Sequence, residues 1–480
     1  MILADKSTGK NKRNTGSKRT MLSASVLLAL GLLVFSQPVE AKNYYVSPSG
    51  SNGDGSNWKQ AWNELDQINW NLIEAGDTVV IDGGRRSTTY HTRLVIPVSG
   101  AQNNPVSVTQ SRHPHHSGNV IISGINNPIS FPSGQPAHEQ YPKHPPGIEI
   151  NGSNIQITGN RRCGIQVSDH ALVGVKIKED TQNVLLNNIE IKKNGQYNFL
   201  NDFGGLVVNG GRHRFHNLNV HDNGGRNVIR NRIGAGSLPC YFTSCWVYNE
   251  DNGFSDGFDF RSDNPMNNGS AAVGLDRVYY SAIGPGLNSG VRFLGNAGGL
   301  YLAESLMLNA KQTNFTASSR NTNTRIILRN VTSFTTTTNP LGLRSRCERT
   351  YGTVGCYDIF YPQPNTRSNI RGGNTAKFYI SNSIFYGGVI GFSESSNLTS
   401  RRNYQYNVTG NTTALASTLT DPLFWSAVAS IPNDVSFNTM ANTNFILSPK
   451  SPARGAGTRY VKRANMFGSR HGRPGMLARR

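Results

Sequence analysis

The sequence predicts an all-β fold: a single-stranded right-handed parallel β-helix, a solenoid of stacked coils with an N-terminal capping helix. Three observations carry this reading. Charged residues are only 16 % of the 480, Gly alone numbers 51, and short Val/Ile/Leu/Phe segments recur throughout, which argues against long helices and against disorder. The segments NNIEIKKNG (Asn187–Gly195), HNLNVHDNG (His216–Gly224) and CWVYNEDNG (Cys245–Gly253) fall in register at a step of 29 residues, aligning Asn194, Asn223 and Asn252. A Gly-apolar-x-apolar theme returns as GIEI at Gly147, GVKI at Gly174, GLVV at Gly205, GFDF at Gly257 and GVRF at Gly290. Short strands split by Asn/Gly turns and repeating at a near-constant step are the signature of a solenoid. A leucine-rich repeat is excluded, because Leu holds no fixed offset and no helix recurs.

Taken in order, the elements begin with an export signal. Six basic residues (Lys6, Lys10, Lys12, Arg13, Lys18, Arg19) precede the apolar run Met21–Phe35, and small residues surround Ala41. This reads as a secretory signal peptide over residues 1–41. The apolar run is too short to span a bilayer comfortably, so no membrane span is expected and the protein should be secreted or lie in the cell envelope. Removing six positive and two negative charges from the net +20 leaves +16 on the remainder.

Next comes a cap over about residues 56–84. Trp58, Trp62, Leu65, Leu72 and Ile73 fall on one helical face, and a solenoid needs its open end covered. The β-helix domain then runs to about residue 458. In each apolar-x-apolar strand the outer residues turn into the core and the middle one turns out, so the outward column reads Glu149, Lys176, Val207, Asp259 and Arg292. Asn at the turns is expected to stack in ladders along the axis.

Of the five cysteines, Cys240 with Cys245 and Cys347 with Cys356 could each close a small disulfide loop in an oxidising compartment, leaving Cys163 as an apolar core residue. No spacing suggests zinc. The His-rich loop RHPHHSG (Arg112–Gly118) reads as polar loop or metal ligand, and His213 stands at a repeat position without an evident partner. Residues 451–480 carry eight basic and no acidic residues, with a basic tail over 459–480. Such a tail suits adhesion to an anionic polymer. No nucleic-acid-binding module is recognisable, and a monomer is expected.

Chemistry concentrates in NEDNGFSDGFDFRSDN (Asn249–Asn264), which holds five carboxylates in an otherwise basic chain. Coil geometry would gather Asp222, Asp251, Asp256 and Asp259 on one face, with Arg292 one coil beyond Asp259. Close carboxylates repel unless protonated or bridged, and Ca²⁺, satisfied by six to eight oxygens, is the natural bridge. The bland alternative is an exposed Asp259–Arg292 ion pair with Asp222 and Asp251 as ordinary turn residues.

The opening segment YYVSPSGSNGDG (Tyr44–Gly55) with AGDTVVI (Ala75–Ile81), and the closing segments DPLF (Asp421–Phe424) and SPARGAGT (Ser451–Thr458), resemble those of secreted β-helix proteins of the pectate-lyase-like superfamily. The central stretch is similar to polysaccharide lyase family 9, whose calcium site includes an Asp-Asp-Gly-apolar-Asp motif. SDGFD places Asp256 and Asp259 on two of its three acidic positions, with Ser255 at the third. HDN around Asp222 fits the family's earlier acidic ligand, and GVRF puts Arg292 where the family carries a basic residue. The resemblance implies a calcium-dependent lyase acting on an anionic polysaccharide such as pectate or alginate, with Arg292 as catalytic base. A glycoside hydrolase using paired carboxylates and a non-catalytic polysaccharide-binding protein are the other readings.

Overall fold

The computed structural model describes residues 40–125, 145–195 and 204–224 and, beyond them, chiefly the strand segments between 227 and 418. The chain divides into two compact units, Met1–Ala41 and Lys42–Arg480, and the second holds every strand described below. The signal-peptide run, Cys347, Cys356, the closing segments and the basic tail lie outside the described residues.

Three sheets of 12, 11 and 12 strands, called here A, C and B, run the length of the solenoid, and every strand pairing within them is parallel. The chain visits A, then B, then C in each coil. Thus Leu185–Asn187, Ile189–Lys192 and Leu206–Val208 make one coil, and Arg214–His216, Asn219–His221 and Asn227–Ile233 stack on it. This is the parallel β-helix that the repeats predict, and no α-helix occurs among the described residues.

The corners explain why the sequence turns where it does. Between sheets A and B one residue per coil adopts the left-handed conformation: Asn188 (φ 60), Asn217 (φ 54), Ser244 (φ 57), Tyr280 (φ 49), Glu304 (φ 49), Asn330 (φ 53) and Asn382 (φ 52). Asn tolerates this region best among non-Gly residues. Its N–H then reaches the neighbouring coil, as Asn188 N does to His216 O at 3.1 Å. The side chains stack as expected, with Asn217 Nδ2 donating to Asn188 Oδ1 at 2.5 Å and, at the corner leading into sheet A, Asn183 Nδ2 to Asn154 Oδ1 at 2.8 Å. Between sheets B and C a second ladder joins the fully buried Asn194 and Asn223, Nδ2 to Oδ1 at 3.0 Å.

The 29-residue step holds from Leu185 to Arg214 and from Glu190 to Asn219, then shortens to 27, with Asn219 opposite Trp246 and His221 opposite Tyr248. The inward pairing of Val220 with Val247 overrides the match between Asn/Gly turns. A shift of two residues preserves which side chains face the core.

Inside, Ile and Val fill the early coils and aromatics the later ones. Phe215 stacks on Phe242 at 4.6 Å, and Phe258 and Phe260 lie parallel at 6.0 Å. The cap differs from the expected helix. Two single 3-10 turns, Leu65–Gln67 and Trp70–Leu72, replace it. Short polar side chains capture the backbone locally: Asn57 Oδ1 accepts from Lys59 N (3.0 Å) and Gln60 N (3.1 Å), and Asn69 Oδ1 from Asn71 N, which competes with helix. Trp62, Leu65, Ile68 and Ile73 are still buried against the first coils, while Leu72 is exposed.

The Cys240–Cys245 disulfide does not form, and both residues are buried. The strand Tyr241–Thr243 separates them, and at about 3.3 Å per strand residue that carries their Cα atoms past the roughly 7 Å a disulfide allows. Cys163 is also free, half-buried, and burial pushes its thiol up to about 11.

Candidate functional site

On the outer face of sheet C, backbone register fixes one column through successive coils: Glu149, Lys176, Val207, Arg230, Asp259, Arg292, Thr316 and Arg371. The expected adjacency of Asp259 and Arg292 is met. Phe258 and Phe260 turn into the core, so Asp259 between them turns outward. Yet Asp259 is fully buried, 0 % exposed, and Arg292 half-buried. The exposed surface pair of the bland reading is therefore incorrect in its exposure. A buried carboxylate is costly unless cations compensate it, and the register sets an arginine on each neighbouring strand.

Arg230 is the member of this column that the sequence reading passes over. Its strand, NVIRNRI (Asn227–Ile233), places Ile229 and Asn231 opposite Phe258 and Phe260, so the apolar-x-apolar signature is broken by an Asn in register with Phe260. The signal that could have found it is the spacing: Arg230 stands 29 residues before Asp259.

Of the remaining expected carboxylates, Asp256 and Asp222 fall among the described residues and Asp251 does not. Asp256 opens the strand Asp256–Ser262 opposite Asn227. It is three residues from Asp259, an odd separation, so alternation alone does not set both on one face. Asp222 occupies the corner between sheets B and C in left-handed conformation (φ 52), where its carbonyl accepts from Lys193 N at 3.1 Å. Among the described residues no group of three or more His, Cys, Asp or Glu side chains is arranged to hold a metal ion.

Asp222 instead belongs to a polar cluster on the outside of sheet B that the sequence reading did not identify. His221 Nδ1 meets Asp222 Oδ2 at 2.6 Å and Nε2 meets Glu190 Oε1 at 3.2 Å. Lys192 Nζ donates to Glu190 Oε2 at 2.7 Å, and Asn219 Nδ2 to Glu190 Oε1 at 3.0 Å. The His221 ring lies flat on Tyr248, centroids 5.0 Å apart. Burial alone would raise the Glu190 carboxyl, but hydrogen bonds from His221 and Lys192 outweigh it and hold it at about 2. Burial likewise opposes the imidazolium, but bonds to Asp222 and Glu190 outweigh it and raise His221 above its ordinary value. The 29-residue alignment already pairs Glu190 with Asn219 and Lys192 with His221, so the signal was present.

Two further histidines, His213 and His116, are held by contacts within the fold. His213 is fully buried, its Nδ1 accepting from Val184 N at 3.1 Å and its Nε2 donating to Asn209 O at 2.8 Å; burial lowers it to about 4. His116, in the His-rich loop, stacks on Trp58 at 4.0 Å and meets Asp82 at 2.9 Å.

The fold has counterparts among known structures. Pectate lyase Pel9A superposes with a TM-score of 0.52 at 17 % identity, over 88 % of this chain and 93 % of its own. What the two share is the fold. A rhamnogalacturonan lyase aligns over 89 % of this chain and 99 % of its own (TM-score 0.49, 13 % identity). A GH136 lacto-N-biosidase from Eubacterium ramulus aligns over 79 % and 67 % (TM-score 0.48, 11 % identity). No protein-family model matches the chain, and no curated protein matches it by sequence. The architecture is thus that of a parallel β-helix, as the repeats predict.

Proposed function

We propose that the chain acts on an acidic polysaccharide at the outer face of sheet C, breaking the chain beside a uronate by β-elimination. The observation that carries this reading is the register Arg230–Asp259–Arg292 on three successive coils, on a fold shared with pectate lyase Pel9A. Neighbouring strands lie about 4.8 Å apart, so the two guanidinium-bearing positions stand about 10 Å apart across one buried carboxylate. An arginine fork can pair with a uronate carboxylate through two parallel hydrogen bonds. Neutralising that carboxylate makes the C5 proton more acidic. Removal of the proton by Arg292 supplies the electron pair for a C4–C5 double bond, the C4–O bond breaks, and the departing oxygen takes a proton from solvent. A guanidinium serves as base only in its small deprotonated fraction, so activity should climb through the alkaline range.

The calcium expected at Asp222, Asp251, Asp256 and Asp259 stays a proposal that no step above depends on; bound there, it would neutralise the uronate carboxylate. The burial of Asp259 favours a second reading, in which Asp259 and its neighbouring arginines only support a binding face and no bond is broken.

One experiment separates them. Full-length protein is incubated with polygalacturonate, alginate and glycosaminoglycans, with Ca²⁺ or with EDTA, and absorbance of unsaturated uronide is followed. A lyase gives the chromophore, and Asp259→Asn and Arg292→Ala each reduce it by at least a hundredfold with circular dichroism unchanged. Reducing ends without chromophore indicate hydrolysis. Retention on polymer with no new ends supports the binding reading. Full activity in either variant removes the assignment to sheet C, and loss with EDTA supports the calcium site.

A further inference from the structure

The outer face of sheet A carries a strip that the solenoid itself does not require. In the early coils its two outward columns read Asn43, Thr78, Ser107, Gln156, Leu185 and Tyr45, Val80, Thr109, Thr158, Asn187: one aromatic side chain, on the first strand, and no charge. From Arg214 onward the first column becomes Arg214, Tyr241, Arg277, Tyr301, Ile327, Tyr379. The second brings in Tyr279 and Arg329. The side chains interlock along the axis. Arg277 Cζ lies 5.4 Å from the Tyr241 ring centre, Tyr279 and Tyr301 stand 5.4 Å apart at 46°, and Arg329 stands within electrostatic reach of Tyr301. The strip faces solvent: Arg277 is exposed, and Tyr280 and Tyr379 are 40 % and 38 % exposed. Among its described residues Glu304 is the one carboxylate, against Arg214, Arg277, Arg325, Arg329 and Lys377.

We propose that this strip is a second glycan-binding face, which holds an anionic polysaccharide lengthwise without reacting with it. Tyr faces offer flat apolar surface to the C–H side of a pyranose ring, and arginines set between them offer bidentate partners for carboxylate or sulfate groups. The column advances by about 4.8 Å per coil, close to what one pyranose adds to an extended chain, so successive sugars meet successive coils. The partly exposed tyrosines in register along one face suit a bound chain, and the surplus of positive charge selects an anionic chain over a neutral glycan. The face lies on a different sheet from Arg292, so it stands or falls separately from the reaction at sheet C.

The test is affinity electrophoresis of the full chain in gels containing polygalacturonate, alginate or neutral dextran. Retardation is expected in at least one acidic gel and not in dextran. The triple variant Arg277→Ala/Tyr279→Ala/Tyr301→Ala should lose at least tenfold in apparent affinity, and Tyr379→Ser alone should lose part of it. Both should keep wild-type circular dichroism, melting and any release of unsaturated uronide from short oligomers. Arg292→Ala should keep most of the retardation while losing that release. Undiminished retardation of the triple variant overturns the proposal, as does equal retardation in dextran. So does loss of binding in Arg292→Ala alone, which would move the binding to sheet C. A dimer of wild type that the triple variant dissociates in sedimentation, with retardation unchanged, would make the strip a contact between copies and overturn it too.

Discussion

Asn223 is fully buried at the corner after sheet B and spends its whole amide on backbone and ladder. Its Oδ1 accepts from Asn194 N at 3.1 Å and Asn194 Nδ2 at 3.0 Å, while its Nδ2 donates to Ile191 O and His221 O, both at 3.0 Å. Leaving a buried donor or acceptor without a partner costs about 1–3 kcal/mol, well above the net worth of one hydrogen bond. Asn223→Ala takes the acceptor from the Asn194 N–H and the donor from the Ile191 and His221 carbonyls, while Asn194 Nδ2 keeps Val167 O and Lys192 O, so it should destabilise by about 3 kcal/mol, read as a lower denaturant midpoint at unchanged slope. Asn223→Asp is the informative companion: it keeps the acceptor for Asn194 but loses both donated bonds and buries a charge, so it should fare no better. An alanine variant with wild-type midpoint would mean that water replaces the ladder. This residue was legible beforehand, because turn asparagines one coil-length apart stack directly above each other in a solenoid. Asp259 was legible as an outward residue but not as a buried one, since the groups covering a strand's outer face come from distant parts of the chain.

The strands Ile189–Lys192 and Asn219–His221 bring Glu190, Lys192, His221 and Asp222 into one cluster, and its pH response follows from the shifts. Glu190 is held at about 2 against an ordinary 4.5, so its contribution is present above 4.5 and is lost as pH falls toward 2. A depression of that size is on the order of 3 kcal/mol for a largely buried group. His221 is raised, so its contribution is complete below its ordinary value of about 6.5 and is lost as pH rises through the raised value. Stability from this cluster should therefore peak between about pH 4.5 and 6.5 and fall on both sides. Denaturant midpoints across about pH 3–9 check it: Glu190→Gln should flatten the acid limb and His221→Gln the alkaline limb. An unchanged alkaline limb in His221→Gln would assign that limb elsewhere. The 29-residue alignment put these residues side by side. It did not reveal the cluster, because contact between adjacent coils depends on rotamers and on Tyr248, whose register shifts by two residues at the next step.

Across the molecule, each coil touches only its neighbours, so stability is close to a sum of coil-to-coil interfaces and the ends are the weak points. Repeats made that architecture readable. The cap was harder, because Trp62, Leu65, Ile68 and Ile73 follow an amphipathic pattern that two 3-10 turns satisfy as well as a helix would. These side chains shield the aliphatic core of the first coils, and Leu65 is fully buried, its N–H held by Thr92 Oγ1 at 3.1 Å. Leu65→Asp would bury a charge with no cation provided for it and should open this end while the stacked coils beyond keep their own contacts. Hydrogen exchange should then show Thr78–Ile81 and Leu94–Ile96 losing protection, with Ile189–Lys192 still protected. An uncovered sheet end is also a template for another chain, so size-exclusion chromatography should show oligomers growing with concentration. Uniform loss of protection along all coils would instead mean that the solenoid unfolds as one cooperative body, and that the cap anchors the whole stack rather than its first turns.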